Sequence, residues 1–237
     1  MSQQRRQPAD EITVIKYKGD HKETVLDPVI TEHPLQINLQ GKAYASLLCT
    51  PADLQELVLG HLYATGVIVQ ARDVAELVWQ SDREVDVALS ANIALTEPKS
   101  VPNHVFRRKD LLDRMTEFSQ ASPLFLETGG VHSCAVASSK ELFHLSEDIG
   151  RHNAVDKVLG KMLLSELDLS DKFLLTSGRI ASDLASKAVQ RGIQMILSVS
   201  APTRDAVRLA QEAGITLGGF VRGDRMNVYC HGQRIQV

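Results

Sequence analysis

The chain has 237 residues, of which 43% are hydrophobic and 23% charged, a composition typical of a globular protein with one or two domains. The formal net charge of −3 argues against a general binder of nucleic acid or of membrane surfaces, so any anion site would have to be a local cluster. No apolar stretch approaches the roughly 20 residues that a membrane span needs. The three cysteines form neither a CxxC motif nor a zinc-ligand spacing, which favours a cytoplasmic protein.

The first hundred residues contain short patterns of both strand and helix type. The first seven residues carry two arginines but no apolar segment behind them, and we interpret them as a frayed tail rather than a signal peptide. Alternating apolar residues predict half-buried strands within 12–17 and 35–48. Thr50 is expected to cap a following helix, with Pro51 in its first position and Gly66 at its end.

The same region closes with a second small unit. His61 lies on the apolar stripe of the predicted helix, and we expect it to pack in the core. Trp79 and the alternating Val85, Val87 and Leu89 indicate further strands. Together these patterns predict a small α+β domain over residues 1–105.

A polar stretch from Ser90 to Arg108, with Pro98 and Pro102, predicts the domain boundary. The basic run Arg107, Arg108 and Lys109 is interpreted as the solvated start of a helix rather than as a phosphate contact. The second domain is therefore predicted over residues 106–237.

Strand and helix patterns alternate along this second domain. We expect helices over about 111–118 and 153–164, an apolar run at 124–126 that enters a Gly-Gly turn, and a hairpin that turns at 138–139. Strand–turn–helix units then start near Phe173 and Ile193, and a last hairpin turns at Gly223. This order predicts a right-handed parallel sheet with polar groups at the carboxyl ends of its strands.

Four polar motifs fall at those expected strand ends. They are Thr128-Gly129-Gly130-Val131-His132, Gly150-Arg151-His152-Asn153 followed by Asp156-Lys157, Ser177-Gly178-Arg179, and Ser200-Ala201-Pro202-Thr203. Glycine allows close backbone approach, helix N-termini expose free N–H groups, and Arg, Lys and His add positive charge. Such a set predicts a site for a large anionic ligand such as a nucleotide or a pterin phosphate.

The motif at Gly150 is the most specific of the four. Arg151 can grip a phosphate in a bidentate fork, and Lys157 can add a point charge one turn later. The alternative is a capped helix in which Asp156 pairs with a local base.

The remaining motifs each have a structural alternative. Gly178 could serve packing alone, and Gly130 beside His132 could mark a bulge. Arg222 and Arg225 flank a hairpin tip, which suits a pyrophosphate but also an ordinary exposed turn.

In order and spacing, these motifs resemble those of the formate dehydrogenase accessory sulfurtransferases (FdhD). The N-terminal part of the resemblance covers Ala45 to Val67. The four motifs together with Gly219-Phe220-Val221-Arg222 carry the rest, so that the likeness extends from about Pro28 to Tyr229.

The resemblance implies a cytidine-deaminase-like α/β fold for the C-terminal domain, built without zinc ligands, since residues 106–237 contain no HxE and no PCxxC. It implies sulfur transfer from a cysteine desulfurase to the molybdenum or tungsten bis-pterin guanine dinucleotide cofactor, ahead of its insertion into formate dehydrogenase, by a homodimer. The cofactor-binding residues expected on this basis are Gly130, His132, Arg151, His152, Asn153, Lys157, Ser177, Arg179, Phe220, Val221, Arg222, Gly223, Asp224 and Arg225.

One feature of the family is missing from this sequence. Relatives that carry sulfur have a CxxC loop ahead of the Thr-Gly-Gly-x-His motif, whereas residues 91–126 contain no cysteine here. Persulfide relay needs a thiolate. Either Cys134 has taken over as the catalytic thiol, or the protein binds and hands on the cofactor without persulfide chemistry.

A rival of another class is a nucleotide-metabolising enzyme on the same fold, with His132 or His152 as its acid–base group.

Straight strand geometry would keep Cys134 on the same face as His132 but about 6–7 Å away, with its thiol packed.

Overall fold

The structure is a computed structural model that describes residues 7–91 and 101–237. Most of the predicted N-terminal tail (1–6) and the part of the predicted boundary loop that contains Pro98 lie outside the described residues. Within the part of the chain that is described, no helix is both long and apolar enough to cross a membrane.

The N-terminal strands form a ribbon and a small sheet. β1 (Ala9–Lys18) and β2 (His21–Ile30) pair as an antiparallel ribbon. A four-stranded sheet follows in the order β4-β3-β6-β5, built from β3 (His33–Leu39), β4 (Lys42–Cys49), β5 (Val74–Ser81) and β6 (Glu84–Leu89). These bounds confirm the strands expected from the alternating patterns.

The first helix, α1 (Leu54–Ala64), begins later than its sequence predicts. Thr50 does not cap it, because the Thr50 hydroxyl is buried against Asp148, far along the chain. Asp53 occupies the N-cap position instead, in a left-handed conformation at φ 52°. The predicted end is confirmed, since Gly66 follows the helix at φ +80°.

The C-terminal half is built on a six-stranded sheet in the order β13-β12-β11-β10-β8-β9. Its strands are β8 (His132–Ala137), β9 (Leu142–Asp148), β10 (Phe173–Thr176), β11 (Met195–Ser198), β12 (Thr216–Arg222) and β13 (Arg225–Cys230). The expected parallel pairing holds only for β10, β11 and β12, because β8 and β13 run antiparallel to their neighbours. The sheet is therefore mixed rather than parallel, and β9 runs in the direction of β10 since both oppose β8.

Helices cover both faces of this sheet. α4 (Arg151–Leu164), α5 (Ser182–Gln190) and α6 (Arg204–Ala213) pack with α1 on one face, and α2 (Arg108–Gln120) covers the other. A short helix, α3 (Pro123–Thr128), lies between α2 and β8. The short strands β7 (Phe106–Arg107) and β14 (Ile235–Gln236) pair in parallel.

One apolar cluster joins the two halves of the chain. Leu35 and Leu57 from the first hundred residues share it with Val158 and Leu159 of α4. The mixed α/β architecture agrees with the predicted class. The boundary near residue 105 and the likeness to cytidine deaminases stay predictions.

Candidate functional site

Three helices begin at one edge of the six-stranded sheet. β9, β10 and β11 run in the same direction, and α4, α5 and α6 follow them in the chain. The first N–H groups of a helix have no intrahelical partner, and the helix dipole makes that end positive. This edge therefore favours an anion, as the sequence predicted.

A cavity of about 580 Å³ opens beside this edge. It lies where α2 ends, α3 ends, β8 begins and the turn after β10 passes, and its volume is in the range of small-molecule sites. The lining residues are Phe118, Ser119, Ser122, Phe125, Gly129, Gly130, Val131, His132, Ser133, Ile149, Ser177, Val199 and Arg222. Four predicted ligand residues therefore meet in one pocket: Gly130, His132, Ser177 and Arg222.

Gly178 lets Arg151 pack against the turn after β10. A β-carbon at position 178 would lie 3.1 Å from Cβ of Arg151 and 3.6 Å from Nδ1 of His132. The absence of a side chain thus allows the first residue of α4 to lie beside His132. Within the described ranges, Nε of Arg151 is buried without a hydrogen-bond partner, which leaves a donor free for a ligand.

The surroundings of His132 favour the neutral form of its ring. Burial is the largest cause that lowers the pKa of His132, and the positive charges of Arg151 and Arg179 lower it further, against the opposing effect of Asp148. Arg179 is exposed in the turn between β10 and α5. Arg151 and Arg179 therefore place positive charge close to His132 and to the pocket that it lines.

His152 points to another partner. Its Nε2 lies 3.1 Å from Oδ2 of Asp183 at the start of α5, and burial, ahead of the neighbouring charges, lowers its pKa. His152 does not line the cavity described above. It ties the start of α4 to α5 instead of contacting the pocket.

Lys157 and Asn153 are buried in a polar network centred on Asp148. The Asp148 carboxylate accepts hydrogen bonds from the backbone N–H groups of Thr50 and Gly150, and from the Asn153 amide at 2.9 Å. Nζ of Lys157 lies 2.6 Å from the same carboxylate, and the lysine side chain is 0% exposed. The prediction that Lys157 places a point charge on a ligand is therefore wrong, because Lys157 neutralises Asp148. Both Lys157 and Asn153 bind the Asp148 carboxylate and so hold the segment around Gly150 in place.

Asp156 pairs with basic side chains, as the structural alternative predicted, but these are distant in the sequence rather than local. Its buried carboxylate lies 2.9 Å from Nδ1 of His61 and 2.5 Å from Nζ of Lys187. His61 thus packs at the contact of α1 and α4 through this pair.

The predicted residues of the last hairpin differ in where their side chains lie: some are at the cavity or exposed, and one is buried in the core. Arg222 lines the cavity, and Phe220 is 45% exposed at φ 54°, a conformation that a bulky residue rarely adopts. Val221 is 0% exposed and packs in the core beneath α2, so its side chain does not face a ligand, and its place among the cofactor-binding residues stays a prediction that only its backbone could fulfil. Gly223, Asp224 and Arg225 form the exposed tip, where the Asp224 carbonyl accepts from Arg108.

The model of the FdhD/NarQ family matches residues 30–102 and 88–236 of this chain. The chain belongs to the FdhD/NarQ family. This confirms the resemblance that the motifs indicated.

Members of the FdhD/NarQ family with curated names are similar over nearly the full length. The sulfur carrier protein FdhD of Bacillus subtilis is 31% identical, with 96% of this chain and 99% of that protein covered. The protein of the same name from Bacillus pumilus is 35% identical over 88% of this chain and 90% of its own. A crystal structure assigned to a formate dehydrogenase accessory protein of Desulfotalea psychrophila has a TM-score of 0.85 and 28% identity, and covers 97% of this chain and 100% of that one.

All three cysteines of this FdhD/NarQ chain are buried. Cys134 is 0% exposed in β8, and burial raises the pKa of its thiol. Burial, with the nearby charge of Asp148, raises the pKa of Cys49 to about 12. A reactive thiol needs exposure and a lowered pKa, so the role of Cys134 as a catalytic thiol is not supported by its surroundings.

Sequence reasoning missed the wall that α2 and α3 contribute. Phe118, Ser119, Ser122 and Phe125 line the cavity, yet residues 124–126 were expected only to lead into the turn. Ser122 followed by Pro123 was the available signal, since a serine N-cap followed by proline is a common helix start.

Proposed function

We propose that this protein is a maturation factor for formate dehydrogenase that binds the molybdenum or tungsten bis-pterin guanine dinucleotide cofactor before its insertion. The base of a guanine nucleotide half lies in the cavity, and its phosphates lie at the edge where α4, α5 and α6 begin. The observation that carries this proposal is the cavity of about 580 Å³ lined by His132 and Arg222, with the positive charges of Arg151 and Arg179 close to His132. The relative named as a formate dehydrogenase accessory protein supports the maturation role, and the name sulfur carrier protein FdhD keeps the sulfur-carrying version as the alternative to be tested.

Of the two versions left open by the sequence, the binding version fits this chain better. The cofactor is bound and handed on, and no persulfide forms on the protein, because each of its thiols is buried. Arg151 supplies a free buried donor for the anion, and neutral His132 lines the pocket. Pairing with a cysteine desulfurase and with a second copy of the chain stay predictions of the resemblance.

Calorimetry with GDP tests the binding site. We expect GDP to bind, and its affinity to fall as salt rises, because the phosphates pair with arginines. The double variant Arg151→Ala, Arg222→Ala should bind at least about tenfold more weakly, since it loses charge-assisted hydrogen bonds. Arg83→Ala, in the exposed β5–β6 turn, is the matched control and should bind as the unaltered protein does. Equal affinity in the double variant would refute the proposal.

Mass spectrometry separates the two versions of the function. After incubation with a cysteine desulfurase and cysteine, the protein should show no mass increase of one sulfur atom. A persulfide on any of the three cysteines would instead establish the sulfur-carrying version.

A further inference from the structure

The Ser177 hydroxyl completes the hydrogen bonding between β8 and the turn after β10. The Ser177 backbone N–H donates to the carbonyl of Ser133 at 3.0 Å, and the Ser133 N–H donates back to Oγ of Ser177 at 2.9 Å. The side chain thus takes the place of a backbone carbonyl. Because Oγ accepts this bond, its own proton stays available for donation.

The available acceptor for that proton is His132. Nδ1 of His132 lies 3.5 Å from Oγ of Ser177, longer than the usual O–H···N hydrogen bond, and no other acceptor within bonding distance of this hydroxyl is found among the described residues. A neutral imidazole has one acceptor nitrogen and one N–H. If Nδ1 accepts, the proton lies on Nε2.

We infer that His132 is held as its Nε2–H tautomer by Ser177 and donates that proton to a neutral acceptor atom of the ligand, such as a ring carbonyl oxygen. The inference rests on the proposed function and deepens it. Nδ1 faces Gly178 and Ser177, so the opposite edge of the ring is the one left to face the cavity that His132 lines.

The charges around His132 favour a neutral imidazole that donates to the base, with the arginines left to pair with the phosphates. Arg151 from α4 and Arg179 from the β10–α5 turn oppose a second proton on the ring, and Asp148 at the end of β9 is the carboxylate among the described residues that favours it. Arg222 also lines the cavity. The positive charges of these arginines therefore suit the phosphates, while the neutral donor on His132 suits the base.

The walls of the cavity support the same assignment. Phe118, Phe125, Val131 and Val199 line the same cavity as His132 and give it apolar surface, which suits an aromatic ring and disfavours a phosphate stripped of water. A donor in such a site selects for a ligand that carries an acceptor at that position, because an unpaired polar group would otherwise be buried.

Nitrogen-15 NMR of the histidine rings in the ligand-free protein tests the tautomer directly. We expect an unprotonated Nδ1 and a protonated Nε2 for His132 at pH 7.5. Ser177→Ala should shift the ring toward a mixture of tautomers. His144, whose Nε2 lies 2.9 Å from Oγ of Ser165 outside the cavity, should keep its signals in that variant. A proton on Nδ1 of His132 in the unaltered protein would overturn the inference.

Calorimetry with guanosine and GDP tests the donation. His132→Gln places an amide N–H near the position of Nε2 and should keep the affinity for guanosine within about threefold, whereas His132→Asn should lose about five- to tenfold, the value of one hydrogen bond. The affinity of the unaltered protein for guanosine should change little as pH falls through the pKa of His132, because the imidazolium form keeps the Nε2 proton that is donated to the ligand. Tighter binding of GDP or of inorganic phosphate at acidic pH, with equal losses in both variants, would show instead that His132 binds phosphate as a cation.

Failure of GDP to bind at all would refute the proposed function, and this inference with it. GDP binding with His132 in the other tautomer would refute this inference alone.

Discussion

Gly60 of α1 and Gly160 of α4 face each other where the two helices cross. A β-carbon built on Gly60 would lie 2.7 Å from the backbone nitrogen of Gly160 and 1.7 Å from the carbonyl oxygen of Asp156. One built on Gly160 would lie 2.0 Å from the carbonyl oxygen of Glu56. The helix backbones are thus in direct contact, and this contact brings α1 against the helix that begins at the candidate site.

We expect Gly60→Ala and Gly160→Ala each to destabilise the protein by about 3 kcal/mol or more, because backbone atoms must move apart to admit the methyl group. Chemical denaturation measures the loss. Gly232→Ala is the control, since its nearest neighbour would be a Val228 methyl carbon at an ordinary 3.5 Å. Similar stabilities for all three variants would contradict the close crossing.

The buried pair of Asp148 and Lys157 gives a second prediction. Asp148→Asn should cost about 3–5 kcal/mol, because it leaves the ammonium group of Lys157 buried without a countercharge. The double variant Asp148→Asn, Lys157→Met should recover a large part of this loss. Asp205→Asn, which removes an exposed pair with Arg208, should change the denaturation midpoint little. A double variant less stable than Asp148→Asn would argue against the pairing.

Cys134 should react slowly with iodoacetamide in the native protein, because its thiol is buried and burial raises its pKa. Labelling should become rapid in denaturant. Cys134→Ser should still support formate dehydrogenase maturation in a strain that lacks its own accessory protein. Rapid native labelling or loss of complementation would place the sulfur chemistry on Cys134.

Stability should fall as the pH is lowered through 6.5. Burial is the first cause that lowers the pKa values of His132, His144 and His152 below the ordinary 6.5. The unfolded chain therefore takes up protons first, near pH 6.5, and unfolding is favoured increasingly until the folded pKa values are reached. Thermal unfolding at several pH values measures this slope. His144→Gln should make it shallower, and an unchanged slope would exclude His144 as a contributor.

Local chemistry in the sequence was enough to predict many of the elements. Alternation placed β3, β4 and β6, the glycine at φ +80° ended α1, and the motif order indicated the family. These features depend on near neighbours in the chain, so a pattern of a few residues carries them. The glycines and arginines expected at the strand ends also lie at one sheet edge, because βα units that run in the same direction share that edge.

The tertiary structure alone decided which of these polar residues are free. Arg151 and Lys157 both follow Gly150 within two turns, yet Arg151 lies beside the pocket and Lys157 is sealed against Asp148. The sequence predicted that Thr50 caps a helix, but its hydroxyl instead donates a hydrogen bond to Asp148, 98 residues away along the chain. The pocket wall from Phe118 and Phe125 likewise depends on how α2 and α3 pack on the sheet. A buried charge must be matched by a partner, and that partner comes from a distant segment whose position no local pattern records.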